Sequence, residues 1–409
     1  MAKNPLIEEL RSDPKWGSYF SGNGTYIAYK TGFATLDYYL GSMVNVYNDK
    51  EEIEFKYPSI GIAAGSIVTI IGKSHVGKTT AAIQIASNIV RPFASGSVIH
   101  YDLEGSTNYT RIGALSKYTP NEMKEGKYIL RQEKSSMEEI KASISKIYQK
   151  KTSNPGLYQY DTGKVNEFGE KIVAYEPTCI IIDSVPRLSS YINENTKDGA
   201  KALEEISSQT DKMRQTAEVG RFLAESMEMM KTANIIMFLI NHIKEKPPMG
   251  VPQAPELPGL TQSETLPCGK ALQYYTSTMI RLTIVGSEKF SKEENGFEGF
   301  GAQARFIKNR GNVNGTIVPL VCDKIRGYDS LRSSFAFAKE NGLIGGNKNG
   351  YYFINNKEVK FSGADIHKSF AENRELYKIM YAHIIPLLEE VLSSVNPEEM
   401  VVIKEEMDY

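Results

Sequence analysis

The chain has 409 residues, 41% of them apolar and 24% charged. That composition excludes wholesale disorder, and the length suits roughly two to three domains that need no disulfide or metal staple. The 48 basic residues are balanced by 49 acidic ones, for a net charge of −1, so a basic coat for nucleic acid is excluded and any DNA contact must use a local surface.

The N-terminus lacks the apolar stretch of a signal peptide. The longest apolar run, around Ile235–Ile240, is too short to cross a bilayer, so no membrane partner is expected. Cys179, Cys268 and Cys322 lie far apart without a CxxC pair, which argues against a disulfide framework or zinc cluster and fits a reducing cytosol. Residues 1–30 read as an arm, with a short amphipathic helix at Ile7–Arg11 and a Gly-rich turn at Ser21–Gly24.

From Thr31 the pattern changes. Four short apolar runs, Ser66–Ile71, Ser97–Tyr101, Cys179–Ile182 and Ile235–Ile240, alternate with polar or helical stretches. Continuous β-branched runs so spaced predict buried parallel strands in an α/β fold with helices on both faces. Apolar runs within 281–325 predict further strands, antiparallel hairpins that extend the sheet. Residues 150–175 predict a surface hairpin. Residues 244–268 hold five prolines and predict a long loop, functional or disordered. Residues 31–330 are expected to form one core and 331–409 a small α/β C-terminal domain. Its expected turn and short strand lie at 342–353, its helices at 365–373 and 376–393, and its acidic tail at 398–409.

The strongest chemical signal is Gly72-Lys73-Ser74-His75-Val76-Gly77-Lys78-Thr79-Thr80, a GxxxxGK[ST] motif between a strand and a helix. Two glycines let backbone N–H groups turn inward around a phosphate, and a helix N-terminus adds positive potential. Lys78 can reach the terminal phosphates of ATP, and Thr79 offers a hydroxyl ligand to Mg²⁺. Asp183, ending an apolar strand, reads as the acid that orients this metal. Glu104, just past the strand Ser97–Tyr101, stands where a carboxylate can polarise an attacking water, or be an ordinary loop acid. Asn241 and His242 follow the fourth strand; His242 is either a phosphate-sensing group or a structural histidine.

These elements, in this order, resemble the RecA family of recombinases, with the phage-type UvsX branch nearest. Thr31-Gly-Phe-Ala-Thr-Leu-Asp-Tyr-Tyr-Leu-Gly is similar to the family's segment before the phosphate loop. Asp102-Leu-Glu104 is similar to its D-x-E, and Leu239-Ile-Asn241-His242 to its I-N-H signature. Cys268–Tyr275 is similar to the stretch that closes its second DNA-binding loop, and Phe306-Ile-Lys308-Asn309-Arg310 to its V-V-K-N-K. The resemblance implies a RecA-type ATPase core, a homo-oligomeric filament on single-stranded DNA, ATP and Mg²⁺ between neighbouring subunits, and pairing with homologous duplex DNA. It implies that Glu104 is the catalytic carboxylate, that Lys308 and Arg310 act on the neighbour's nucleotide, and that Tyr109 and Arg111 lie near the adenine. It further implies DNA-binding loops at about 189–220 and 244–268, and a bacterial or phage-infected cytosol. The alternative is a ring-forming motor on the same core, such as a DNA helicase. The loops carry few cations (Lys197, Lys201, Lys212 and Arg214 in the first, Lys244 and Lys246 in the second), so the DNA expectation rests on the resemblance rather than on charge.

Overall fold

The computed structural model describes residues 27–48, 50, 52–189, 209–245, 254–291, 297–347, 349–363 and 365–392. The expected N-terminal helix and Gly-rich turn, most of the first loop (190–208), residues 246–253 of the second and the acidic tail lie outside the described residues.

The protein is α/β, built on a nine-stranded sheet. In chain order its strands are β1 (Ile67–Gly72), β2 (Ser97–Asp102), β3 (Tyr128–Arg131), β4 (Thr178–Asp183), β5 (Ile235–His242), β6 (Thr278–Phe290), β7 (Gly299–Asn309), β8 (Ile317–Asp323) and β9 (Gly327–Tyr328). Across the sheet the order is β9-β8-β7-β6-β1-β5-β4-β2-β3. Pairings from β6 to β3 are all parallel, whereas β6 through β9 form antiparallel steps. The four apolar runs therefore become β1, β2, β4 and β5, central and side by side, and the later runs extend one edge as expected.

Alternation along these strands divides the core. In β4, Cys179 and Ile181 join the cluster on one face, while Ile180 and Ile182 join the cluster on the other. The same split runs through β5, with Ile236, Phe238 and Ile240 against Ile235, Met237 and Leu239. Both faces are covered, so both registers must be apolar, and the strands read as unbroken hydrophobic runs. Helix α2 (Lys78–Val90) covers the first face through Ala82, Ile85 and Ile89. Helices α4 (Met137–Ser153) and α5 (Gln209–Thr232) cover the second through Ile140, Ile144, Phe222 and Leu223. Helix α1 (Ala34–Leu40) precedes β1, and helix α3 (Tyr109–Ser116) follows β2.

The Thr31–Gly41 segment is structural here. Asp37, 3% exposed, accepts from both Thr31 N and Thr31 Oγ1 at 2.6 Å, fixing the entry into α1. The expected 150–175 hairpin forms as the antiparallel pair Gln159–Val165 and Lys171–Tyr175. A second hairpin, Ser42–Tyr47 with Ile53–Ser59, stands beside it, and Tyr57 Oη donates to Val165 O. Two loop expectations change. Residues 209–220, counted with the first loop, belong to α5, where Arg214 pairs with Glu218 one turn on. The second loop is closed at its neck by a short ladder in which Lys244 faces Thr265 and Glu245 faces Glu264.

Beyond β9, helix α6 (Ser330–Glu340), a three-stranded antiparallel sheet (Ile344–Asn347, Gly350–Phe353, Asn356–Phe361) and helices α7 (Ile366–Glu372) and α8 (Glu375–Glu390) surround a third apolar core. Tyr38 of α1 joins this core. Phe370 is fully buried, edge-on to Phe361 and Tyr377 at 5.5 and 5.0 Å between ring centroids. Phe370→Ala is expected to lower stability by about 3–5 kcal/mol through lost burial and an unfilled cavity. Urea unfolding measures this; a change below about 1 kcal/mol would mean that the site collapses freely. Among the described residues, no helix is long and apolar enough to cross a membrane.

Candidate functional site

The parallel strands end together. Asp183 lies opposite Asp102 and Ile240, and His242 lies opposite Gly72. Side chains at and just beyond this edge face the crevice where α/β sheets bind ligands.

The phosphate-loop motif occupies that edge. A Cβ at Gly72 would stand 2.7 Å from Leu282 O and 2.8 Å from Val76 Cγ2, so only glycine allows the loop to fold back over β1. Gly77 adopts φ 78°, the left-handed region that glycine enters without strain. The helix begins at Lys78, so Lys78 and Thr79 occupy its first turn. Tyr328 braces the loop from β9. Its hydroxyl donates to Val76 O at 2.6 Å, its N–H to Gln84 Oε1 at 2.8 Å, and its carbonyl accepts from Gln84 Nε2 at 2.9 Å.

Lys78 is 5% exposed, and its Nζ donates to Lys73 O at 2.8 Å. Burial lowers its pKa, opposed by the charges of Asp183 and Glu104. Thr79 Oγ1 donates to Asp183 Oδ2 at 2.6 Å. Asp183 is almost fully buried, and burial pushes its carboxyl up to about 6, with the nearby charges of Glu104 and Asp102 adding to the rise. The Asp183–Ser184 peptide bond is cis.

Asp102 organises the turn that presents Glu104. Its carboxylate accepts from Ser106 N, Thr107 N and Gln132 Nε2. Glu104 Oε1 accepts from Ser184 Oγ at 2.6 Å and lies 3.2 Å from His242 Nε2. The hydrogen bond to His242 is the main reason that the Glu104 carboxyl is held down to about 2. Asn241 links the end of β5 to the returning loop. Its Nδ2 donates to Pro267 O at 2.7 Å, and its Oδ1 accepts from His242 N at 2.8 Å.

These groups share a cavity of about 330 Å³ lined by His75, Gly77, Lys78, Thr79, Thr80, Glu104 and His242. Lys73 is paired with Glu245 of the second loop's neck at 2.6 Å. Of the Tyr109–Arg111 pair, Arg111 lines the cavity, anchored to Lys324 O and Ile325 O, whereas Tyr109 starts α3 with its side chain 52% exposed. The opposite wall was missed in the sequence. It is made by Phe300, Cys322, Asp323 and Lys324, at the ends of β7 and β8. No motif marks these positions, because they arrive only through the antiparallel register that sets Phe300 against Cys322.

Lys308 and Arg310 are not in this cavity. Both donate to Tyr274 O, and Lys308 also donates to Gln273 O at 2.6 Å. They lie at the end of β7 where Asn309 pairs with Thr278, opposite Val68 at the entry of β1. From Phe300 in the cavity wall, an antiparallel strand advancing about 3.4 Å per residue carries Lys308 roughly 27 Å along the sheet, with Arg310 beyond it.

Chemically, the arrangement offers a cationic, glycine-turned loop for an anion, two hydroxyl- and carboxylate-bearing residues for a cation, and an ionised carboxylate beside them. Asp183 gives a direct pH signature. Its folded pKa lies above the ordinary 3.8, so the folded chain holds this proton more tightly. Its stabilising contribution is complete below pH 3.8 and is lost as pH rises through about 6. In thermal melts without nucleotide or magnesium, wild type is expected to lose stability over this window relative to Asp183→Asn. A flat difference curve would show that Asp183 ionises normally.

No protein-family model matches this chain, and no curated protein matches it.

Proposed function

We propose that this chain is an ATP-dependent recombinase of RecA type, acting as a homo-oligomer on single-stranded DNA and pairing it with homologous duplex. One observation carries the reading. The phosphate loop, the Thr79–Asp183 pair, Glu104 and His242 stand on neighbouring strand ends, while the basic pair Lys308 and Arg310 sits at the far edge of the same sheet.

The residues fit ATP and Mg²⁺. The Gly72 and Gly77 positions, where a side chain would intrude, leave room for a phosphate. Thr79 and Asp183 would hold the magnesium, which neutralises phosphate charge when bound. Lys78 exchanges its internal contact with Lys73 O for the phosphates. Glu104 orients the attacking water once its hold on Ser184 and His242 loosens, because a carboxylate kept this acidic is a weak base. Lys308 and Arg310 are too far from their own cavity to act there, so a second copy would supply them. This separation favours an assembly with nucleotide between subunits.

Steady-state ATP hydrolysis without DNA, with single strands and with duplex tests the reading. Strong stimulation by single strands, lost in Lys78→Ala, is expected, together with strand exchange and filaments in electron microscopy. Rates indifferent to nucleic acid would overturn the recombinase, and closed rings that unwind duplex would replace it with a helicase-type motor.

A further inference from the structure

Three ligand-bearing side chains meet at the mouth of the cavity in a combination that magnesium does not use. Oxygen or nitrogen atoms of Glu104, Asp183 and His242 all lie within 4.8 Å of one another. Asp183 and His242 lie at the ends of β4 and β5, adjacent strands in parallel register, and Glu104 stands in the turn two residues past β2, a turn held by the Asp102 carboxylate through Ser106 N and Thr107 N. Mg²⁺ takes oxygen ligands almost exclusively. One imidazole with two carboxylates is a set taken by Zn²⁺ and its neighbours Co²⁺ and Mn²⁺.

We propose that Glu104, Asp183 and His242 form a binding site for a transition metal ion, Zn²⁺ foremost, in the nucleotide-free protein. Distances support it. Ligands at about 2.0–2.1 Å from a tetrahedral Zn²⁺ stand roughly 3.3–3.4 Å apart. His242 Nε2 and Glu104 Oε1 are already 3.2 Å apart. Asp183, with a ligand atom within 4.8 Å of the other two, closes the remaining gap by a side-chain adjustment of at most about 1.5 Å. Ser184 Oγ, donating to Glu104 Oε1, orients that carboxylate from behind, the kind of support that metal-binding carboxylates have. The fourth position opens on the cavity and is left to water. The ion would occupy both Glu104 and His242 at once. Resting on the proposed ATPase, its consequence is inhibition by trace zinc that excess magnesium does not relieve.

Cobalt titration of the EDTA-treated full chain without nucleotide tests the site itself. Expected are visible ligand-field bands of four- or five-coordinate Co²⁺, saturating at one ion per chain, bleached by Zn²⁺ and unaffected by millimolar Mg²⁺. They are lost in His242→Gln, whose far-ultraviolet dichroism and melting match wild type, and in Asp183→Asn. They persist in His75→Gln, which removes the other imidazole of the same cavity. Absence of bands, their survival in His242→Gln, or displacement by Mg²⁺ overturns the assignment. Bands lost in His75→Gln but kept in His242→Gln would move the ion to the phosphate loop, with the same result. No nucleotide is present, so failure of the recombinase reading leaves this assay untouched.

Discussion

Glu104→Gln is expected to lower kcat for ATP about 10²–10⁴-fold while leaving nucleotide affinity near wild type. The amide keeps the shape of the carboxylate and can still accept the Ser184 hydroxyl, which sits 2.6 Å away, so the strand ends should remain in place. What it loses is the negative charge that polarises water. The hydrogen-bond partners of the Glu104 carboxylate are Ser184 and His242 rather than the backbone of the phosphate loop, so binding should survive. Lys78→Ala makes the contrast. It removes a cation 5% exposed within the loop and should impair binding and turnover together. Nucleotide binding by fluorescence and hydrolysis under saturating ATP separate the two cases. A Glu104→Gln protein that retains more than about a tenth of wild-type kcat would remove Glu104 from the chemistry. The same substitution bears on why the carboxyl is held at about 2 in the free protein. A base pinned by His242 and Ser184 is idle, and any ligand that draws His242 aside raises its basicity where hydrolysis needs it. His242→Gln would then change basal turnover rather than binding.

The parts legible in the sequence are those fixed by local rules. Buried parallel strands need apolar residues in both registers, so β1, β2, β4 and β5 announced themselves as unbroken runs. The turn at Gly72–Gly77 needs glycine for steric reasons that hold in any fold, and so it carried a readable motif. Asp183 and His242 were found because an apolar strand ending in a polar residue points at the sheet edge. The far wall of the cavity could not be found this way. Phe300 and Lys324 are ordinary residues in ordinary strands, brought to the phosphate loop by pairings between distant segments. The brace of Tyr328 on Val76 and Gln84 likewise depends on tertiary placement. Helix α5 was taken partly as loop because its polar face around Arg214 and Glu218 dominates the local pattern, while its apolar face appears only from Val219 onward. The roles proposed for Lys308 and Arg310 rest on family likeness alone, and position left Glu104 between a water-polarising carboxylate and a loop acid, since a carboxylate after a strand and two strand cations are common in folds of every function.

Mixing two inactive variants is expected to restore ATP hydrolysis. Arg310→Ala should lower turnover by about 10³–10⁵-fold, as loss of a cation acting across an interface does, without weakening nucleotide binding to the same chain. Its own phosphate loop is intact, and Arg310, held near Tyr274 O, lies at the opposite edge of the sheet. Lys78→Ala has the complementary defect, a disabled loop with intact cations. When the two are combined in equal amounts and assembled at random, about a quarter of head-to-tail interfaces join an intact loop to an intact Arg310. Activity should therefore rise from near zero to about a quarter of wild type if each interface works alone, and lower if neighbours must fire together. Recovery should track assembly and vanish at dilutions where the oligomer dissociates. The design isolates one geometric fact, that the basic pair cannot reach its own cavity. Mixtures no more active than either variant, with assembly intact, would mean that Lys308 and Arg310 serve the fold near Gln273 and Tyr274 and that hydrolysis is completed within one subunit.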